Sequence, residues 1–199
     1  MQVTKDYIKK NIQEAASKLF LEKGYPNVSL REIAETAQVG LSNIYNYFKN
    51  KDEIFQIVVQ PALSAFDQIL EMPFSHHATM GFSTESFQQD IVAEYLYLIH
   101  NYRQEINLLL FHAHGSALQN FKEDFTQRIT SKFKAEHCRQ LAVNSCEETQ
   151  VSDFSLHLHS VWLFTLFEEI LKCQAPDEEL EEKIKDYIHF ESLGYREFA

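Results

Sequence analysis

Between Leu41 and Lys51 the chain places Leu41, Ser42, Asn43, Tyr45, Asn46, Tyr47, Lys49 and Lys51 within one short stretch. Hydroxyls, amides and ammonium groups of this kind donate hydrogen bonds to phosphate oxygens and read the edges of bases. No carboxylate enters until Asp52. Leu41, Ile44, Tyr45 and Phe48 recur at helical spacing, which predicts a helix with one face able to pack. Ser42, Asn43, Asn46, Tyr47 and Lys49 fall largely on its other face. The chemistry this stretch suits is the non-covalent recognition of a nucleic-acid surface.

Other chemistries find less support. Two metal ligands on one helix need a spacing of about three or four residues. No two of the nine histidines have it; His112 and His114, like His157 and His159, are two apart. There is no glycine-rich phosphate loop, no G-x-S-x-G and no H-E-x-x-H, so no catalytic residue, metal or cofactor is expected and the chain does not read as an enzyme. Aromatic residues make up 13% of the chain, with sixteen phenylalanines. Tyr95, His100, Phe111, His114, Phe125, Phe154, His157 and Trp162 mix aromatic bulk with polar handles. That composition suits an apolar cavity with a few orienting groups, and these eight are the candidate pocket.

Several elements must position the donor-rich stretch. Thr4 to Lys23 carries Ile8, Ile12, Ala15, Ala16, Leu19 and Phe20 as one apolar stripe, with Gly24 and Pro26 to end it. Ser29-Leu30-Arg31-Glu32 reads as a capping box opening a short helix with Ile33 and Ala34 inward. Gln38-Val39-Gly40 is a tight turn, and Gly40 is a modest N-cap for the next helix. Two short helices joined by such a turn form the helix-turn-helix pattern.

The matching text is A-S-K-L-F-L-E-K-G-Y, then V-S-L-R-E-I-A-E-T-A-Q-V, then N-I-Y-N-Y-F-K-N-K-D-E-I-F. On these three parts, residues from about Lys5 to Ile54 resemble the DNA-binding domain of TetR-type (TetR/AcrR) transcriptional regulators. The family usually has glycine where Gln38 stands, serine at Gly40, glycine at Ser42 and histidine at Tyr47. The resemblance implies an all-α protein: a three-helix head at residues 1–50 and a helical effector-binding and dimerisation domain at 51–199. It implies a ligand-responsive regulator, a repressor released from a palindromic operator by a small apolar effector. Its DNA-binding set is Ser29, Arg31, Leu41, Ser42, Asn43, Tyr45, Asn46, Tyr47 and Lys51, with Lys51 on phosphate. The alternative is a helical small-molecule or protein sensor whose helix-turn-helix no longer binds DNA.

The remaining chain reads as helices. Asn50 caps one that runs to Glu71 with Pro61 inside it, where a kink is expected. Met72 to Ser83 is a loop holding His76 and His77. Helices are then expected at Thr84–Tyr102, about Gln104–Ala113, Ser116–Val143, Ser152–Lys172 and Asp177–Ser192, the last ended by Gly194. Val161 to Phe167 is apolar almost all round, so it needs cover on more than one side. The Ser152–Lys172 and Asp177–Ser192 helices are therefore the expected homodimer interface.

Composition bounds the rest. The chain has 199 residues, 45% hydrophobic and 24% charged, and a net charge of −11. Residues 1–60 hold eight Lys/Arg against seven Asp/Glu, so the head is about +1 and the remainder about −12. An acidic body stays off phosphates while local cations in the head engage them. No run is long enough to span a bilayer, and the N-terminus lacks a signal-peptide core. Cys138, Cys146 and Cys173 form no paired framework, as in a reducing cytoplasm.

Overall fold

The computed structural model describes residues 2–71, 85–144, 152–173 and 176–198. Among these there is no strand, and the fold is all-α. The helices are α1 (Gln2–Lys23), α2 (Leu30–Thr36), α3 (Leu41–Ile44), α4 (Lys51–Glu71), α5 (Glu85–Asn107), α6 (Phe121–Asn144), α7 (Asp153–Cys173) and α8 (Asp177–Phe198). The expected loop at Met72–Ser83, with His76 and His77, lies outside the described residues, as does Cys146. Cys138 and Cys173 are free and exposed. No helix among the described residues is long and apolar enough to cross a membrane.

The chain divides into two compact units. The first contains residues 1–65 and 102–122, the second 66–101 and 123–199. The three-helix head drawn from the sequence lies wholly inside the first unit, which also takes in the start of α4 and a later segment.

In the first unit, α1 buries Ile12, Ala15, Ala16, Leu19 and Phe20, the stripe that its periodicity marks. Gly24 stops it at φ 75°, a conformation glycine adopts without a Cβ clash. Phe20, Tyr25 and Phe55 then meet as one aromatic cluster, with centroids 5.2–5.7 Å apart. Ile33, Ala34, Ile44 and Phe48 complete the core under α2 and α3.

The turn between α2 and α3 is a Schellman motif. Val39 N donates to Ala34 O at 2.9 Å and Gln38 N to Glu35 O at 3.2 Å. The residue after the C-cap in this motif must be left-handed, and here that is Gln38 at φ 56°. A left-handed non-glycine residue costs roughly 1–2 kcal/mol, partly offset by the extra unfolded-state freedom glycine would add. Gln38 is exposed and its side chain holds nothing in place. Gln38→Gly is therefore expected to stabilise the chain by about 1 kcal/mol and raise Tm by roughly 2–4 °C, read by calorimetry.

Three elements differ from their sequence-based expectations. The second helix of the pair is α-helical only from Leu41 to Ile44 and continues as turns through Tyr47. Ile44 and Phe48 are buried as expected, but Leu41 and Tyr45 are exposed. The break expected after Tyr102 is present: Tyr102 departs from helical geometry (φ −133°, ψ 23°) at a kink between two helical segments, the second of which runs to Asn107. A π-helical turn, Leu108–His112, comes next.

The long helix expected from Ser116 begins instead at Phe121. Ser116 Oγ donates to Ala113 O at 2.7 Å and accepts from Leu118 N at 3.1 Å. Gly115, at φ 78°, donates its N–H to Gln119 Oε1 at 3.1 Å. These local bonds hold residues 113–120 in turns rather than helix. The last helix runs through Gly194 to Phe198: an interior glycine costs about 1 kcal/mol and does not by itself end a helix.

In the second unit, α7 supplies Leu156, Phe164, Phe167, Ile170 and Leu171 to the core, and α8 supplies Leu180, Ile184 and Ile188. Val92, Leu98 and Ile99 of α5 and Ile129 and Phe133 of α6 are buried with them. Ser152 caps α7 by accepting from Ser155 N at 3.1 Å. Helix α4 is continuous past Pro61, which is exposed.

Candidate nucleic-acid interface

Helix α2 is fixed at its start by a complete capping box. Ser29 Oγ accepts from Glu32 N at 3.2 Å, and Glu32 Oε2 accepts from Ser29 N at 2.8 Å. The Ser29 hydroxyl also donates to Glu32 Oε2, at 2.8 Å. Lys23 Nζ, on the last residue of α1, donates to Glu32 Oε1 at 2.9 Å. Arg31 is exposed and its Nε donates to Glu35 Oε1 at 3.1 Å. Of the candidate contacts, Ser29 and Arg31 thus have intramolecular partners at the front of the helix-turn-helix.

The carboxylate of Glu32 is held low, at about 2, first by Lys23 and then by the backbone and hydroxyl of Ser29. A folded-state value below the ordinary 4.5 means the stabilisation is complete above that pH and is lost as pH falls toward 2. Glu32→Gln is expected to flatten the fall in stability over that acid window. Denaturant titrations at stepped pH would show it.

The donor-rich stretch itself is largely exposed. Ser42 and Asn46 face solvent, with Leu41 at 41% and Tyr45 at 57% exposure, and Asn43 and Tyr47 are half-buried. Tyr47 leans on Phe48 at a centroid distance of 6.5 Å. Asn46 Nδ2 donates to Asn43 Oδ1 at 3.2 Å, which fixes one amide by the other. From Thr36 to Phe48 no residue is charged, and Lys49 is the next residue, an exposed cation.

Lys51 is placed differently from its expected position on phosphate. Its Nζ donates to the carbonyls of Tyr25 and Val28, both at 2.8 Å, and sits 4.1 Å from the centre of the Tyr25 ring. Burial lowers its pKa, against the raising effect of Asp52 and Glu32. The sequence marks Lys51 as a cation in a donor-rich stretch. It carries no signal that two carbonyls 26 and 23 positions earlier would claim it.

Asp52 extends the same network. Its carboxylate accepts from the buried Tyr25 hydroxyl, and burial together with that bond raises the phenol's pKa. Asp52 Oδ1 also accepts from Ala117 N at 2.8 Å. The start of α4 is therefore tied both to the α1–α2 connection and to the turns at 113–120, all within the first unit. Asn50 caps α4 by accepting from Glu53 N at 2.8 Å, and Glu53 Oε2 accepts from Lys49 N at 2.5 Å.

The eight candidate pocket residues fall in different settings. Tyr95 and Phe125 are buried in the second unit. Tyr95 packs on Phe167 at 4.6 Å between centroids and donates its hydroxyl to Leu163 O at 3.2 Å. Phe125 meets Phe66 at 5.2 Å and Phe164 at 5.5 Å. His100, Phe154, His157 and Trp162 are exposed in the same unit. Phe111 and His114 are exposed in the first unit, on and just beyond the π-helical turn.

Comparison with known proteins agrees with this geometry. Residues 12–58 match the family model described as bacterial regulatory proteins, tetR family. The probable HTH-type transcriptional regulator YttP of Bacillus subtilis (strain 168) is 34% identical over 96 residues, 48% of this chain and 45% of that protein. The chain therefore spans less than half the length of this curated relative. Among solved structures, native NalD of Pseudomonas aeruginosa, the secondary repressor of the MexAB-OprM multidrug efflux pump, has a TM-score of 0.60 at 20% identity, covering 92% of this chain and 96% of that one. FadR of Bacillus subtilis, in complex with stearoyl-CoA, has a TM-score of 0.56 at 16% identity, covering 90% and 96%. At these identities the likeness is one of fold.

Proposed function

Because this chain belongs to the TetR-type family of bacterial regulatory proteins, we propose that it is a transcriptional regulator that binds double-stranded DNA through residues 41–49 and acts as a repressor. The observation that carries this reading is the exposed, donor-bearing, carboxylate-free stretch that begins with the second helix of a helix-turn-helix whose first helix has a complete capping box. Leu41, Ser42, Tyr45, Asn46 and Tyr47 face base edges, with Asn43 behind them, while Ser29, Arg31 and Lys49 lie toward the backbone. Lys51 holds the head together instead of touching phosphate. The test is binding of the whole chain to duplexes from upstream of its own gene, followed by fluorescence anisotropy at several salt concentrations. A specific complex with a negative salt slope supports the reading. Binding no tighter than to random duplex would leave the sensor with a non-binding head.

The regulator works as a homodimer through α7 and α8. Phe154, Leu158, Val161, Trp162 and Thr165 recur at helical spacing on α7 and are exposed or half-exposed, and Phe190 of α8 is 73% exposed. A two-fold copy would cover them and present two heads to a palindromic operator. Phe167 is a poor probe of this surface, since it is buried in its own unit. Phe154→Asp and Trp162→Glu together are expected to shift the sedimenting species from dimer to monomer at micromolar concentration, with helicity retained. A parent chain that sediments as a monomer would end the proposal.

The effector is a small apolar molecule that enters the second unit beside Tyr95 and Phe125, where aromatic side chains offer contact. A protein of this fold was solved with stearoyl-CoA, whose acyl chain is apolar, and that favours a ligand with an apolar part. It must bind the DNA-incompetent arrangement more tightly, since equal affinity for both shifts nothing. Release of the bound duplex by such a compound, lost in Phe125→Ala, is the check.

A further inference from the structure

Every candidate base contact in this head is uncharged. Residues 36–48 carry no arginine or lysine, the side chains that pair bidentately with the O6 and N7 of guanine. What the stretch offers instead is an amide pair. Asn46 is exposed, and one of its Nδ2 hydrogens is committed to Asn43 Oδ1 at 3.2 Å. In that bond Asn46 is the donor and Asn43 the acceptor. It leaves Oδ1 and the second N–H of Asn46 for a ligand.

We propose that Asn46, oriented by Asn43, reads adenine, and that the half-site is centred on A·T pairs with Leu41 and Tyr45 against thymine methyl groups. Adenine presents a donor and an acceptor side by side, N6–H and N7, which match an amide's acceptor and donor. Guanine presents two acceptors there, so Oδ1 would face O6 with no proton between them. Cytosine presents only its N4 donor at the edge. Leu41 and Tyr45 add exposed apolar surface four residues apart, and in the major groove the thymine methyl is the apolar feature of a base pair. Asn43, half-buried, is a positioning residue: it acts through the Asn46 amide.

This inference rests on the reading of the head as DNA-binding, and its test separates the two. The whole chain is used to select duplexes from a random library at low salt, and the recovered half-site is then varied one base pair at a time. An adenine at one fixed position in each half-site is expected. Its replacement by guanine should weaken binding roughly 5- to 150-fold, the range for one bidentate pair. Asn46→Ala should erase the preference at that position and leave the others. Asn43→Ala should blunt the same preference. Asn43→Asp, which keeps the accepting oxygen, should retain it while weakening every sequence through its added charge. Half-sites fixed at G·C pairs, or an adenine preference that survives Asn46→Ala, would overturn the inference while leaving the head a DNA binder. Selection of no sequence at all would overturn the proposed function and this inference with it.

Discussion

Phe164→Ala is expected to destabilise the chain by about 3–5 kcal/mol, the largest effect of any single truncation considered for it. The Phe164 ring is 1% exposed and lies 5.8 Å from Phe66, 5.5 Å from Phe125 and 6.5 Å from Phe167 between centroids. Removing it forfeits its own burial and leaves three other rings facing a void. Those rings come from α4, α6 and α7, so collapse around the gap requires three helices to shift together. The cost therefore belongs near the upper part of the range for large-to-small changes. Denaturant unfolding reads it as a lower midpoint at unchanged slope. Phe154→Ala is the control: it lies on the same helix but is 73% exposed, and should cost little in the monomer. A dry apolar cavity of this kind also binds small aromatics, so indole or benzene should restore part of the lost stability in Phe164→Ala and none in Phe154→Ala. A loss under about 1 kcal/mol would mean that the cluster is not the core of its unit.

Lys51→Ala and Lys49→Ala are expected to fail in opposite ways. Lys51 donates two charge-assisted bonds to main-chain carbonyls, each kind of bond worth about 1.5–3 kcal/mol when shielded. Half-burial lets water reach the freed carbonyls, which places the expected loss at about 2–3 kcal/mol. The lost ring contact beneath the ammonium adds to it. In operator-binding titrations corrected for the folded fraction, Lys51→Ala should keep the parent's salt slope, since no phosphate contact has been removed. Lys49, exposed at the end of the donor stretch, should show the reverse: unchanged Tm and a slope shallower by roughly one counterion. A shallower slope in Lys51→Ala, with Tm intact, would return that side chain to the phosphate backbone.

Much of the head was legible in the sequence because its signals are local. The Ser29–Glu32 capping box, the stop at Gly24 and the apolar stripe of α1 each depend on residues within a turn or two, and each is present. The pattern failed where backbone geometry tightened. Tyr45 satisfies a helical period, but α3 ends at Ile44, and a face drawn on an ideal helix does not extend past that end. It failed again where partners are distant in the chain. The bond from Ala117 to Asp52 spans 65 positions and has no periodicity to announce it. The candidate pocket was a composition argument, and composition does not distinguish Phe125, packed among rings, from Trp162, exposed on α7.

The compact unit that contains the helix-turn-helix is discontinuous in the chain. Its first part ends at residue 65 and its second begins at residue 102, so residues 66–101 of the other unit are made in between. On a ribosome adding roughly 5–20 residues per second, the first part waits about 3–11 s for residue 122 to emerge. During that interval Asp52 lacks Ala117, and the apolar side chains of Phe66, Val92, Leu98 and Ile99 have been synthesised before α6, α7 and α8 exist to cover them. Nascent chains are therefore most exposed to aggregation and to chaperone capture between these lengths. A fragment cut at residue 50 would carry the recognition stretch without Lys51, Asp52 or the turns at 113–120, and so would lack the bonds that hold its first connection in place.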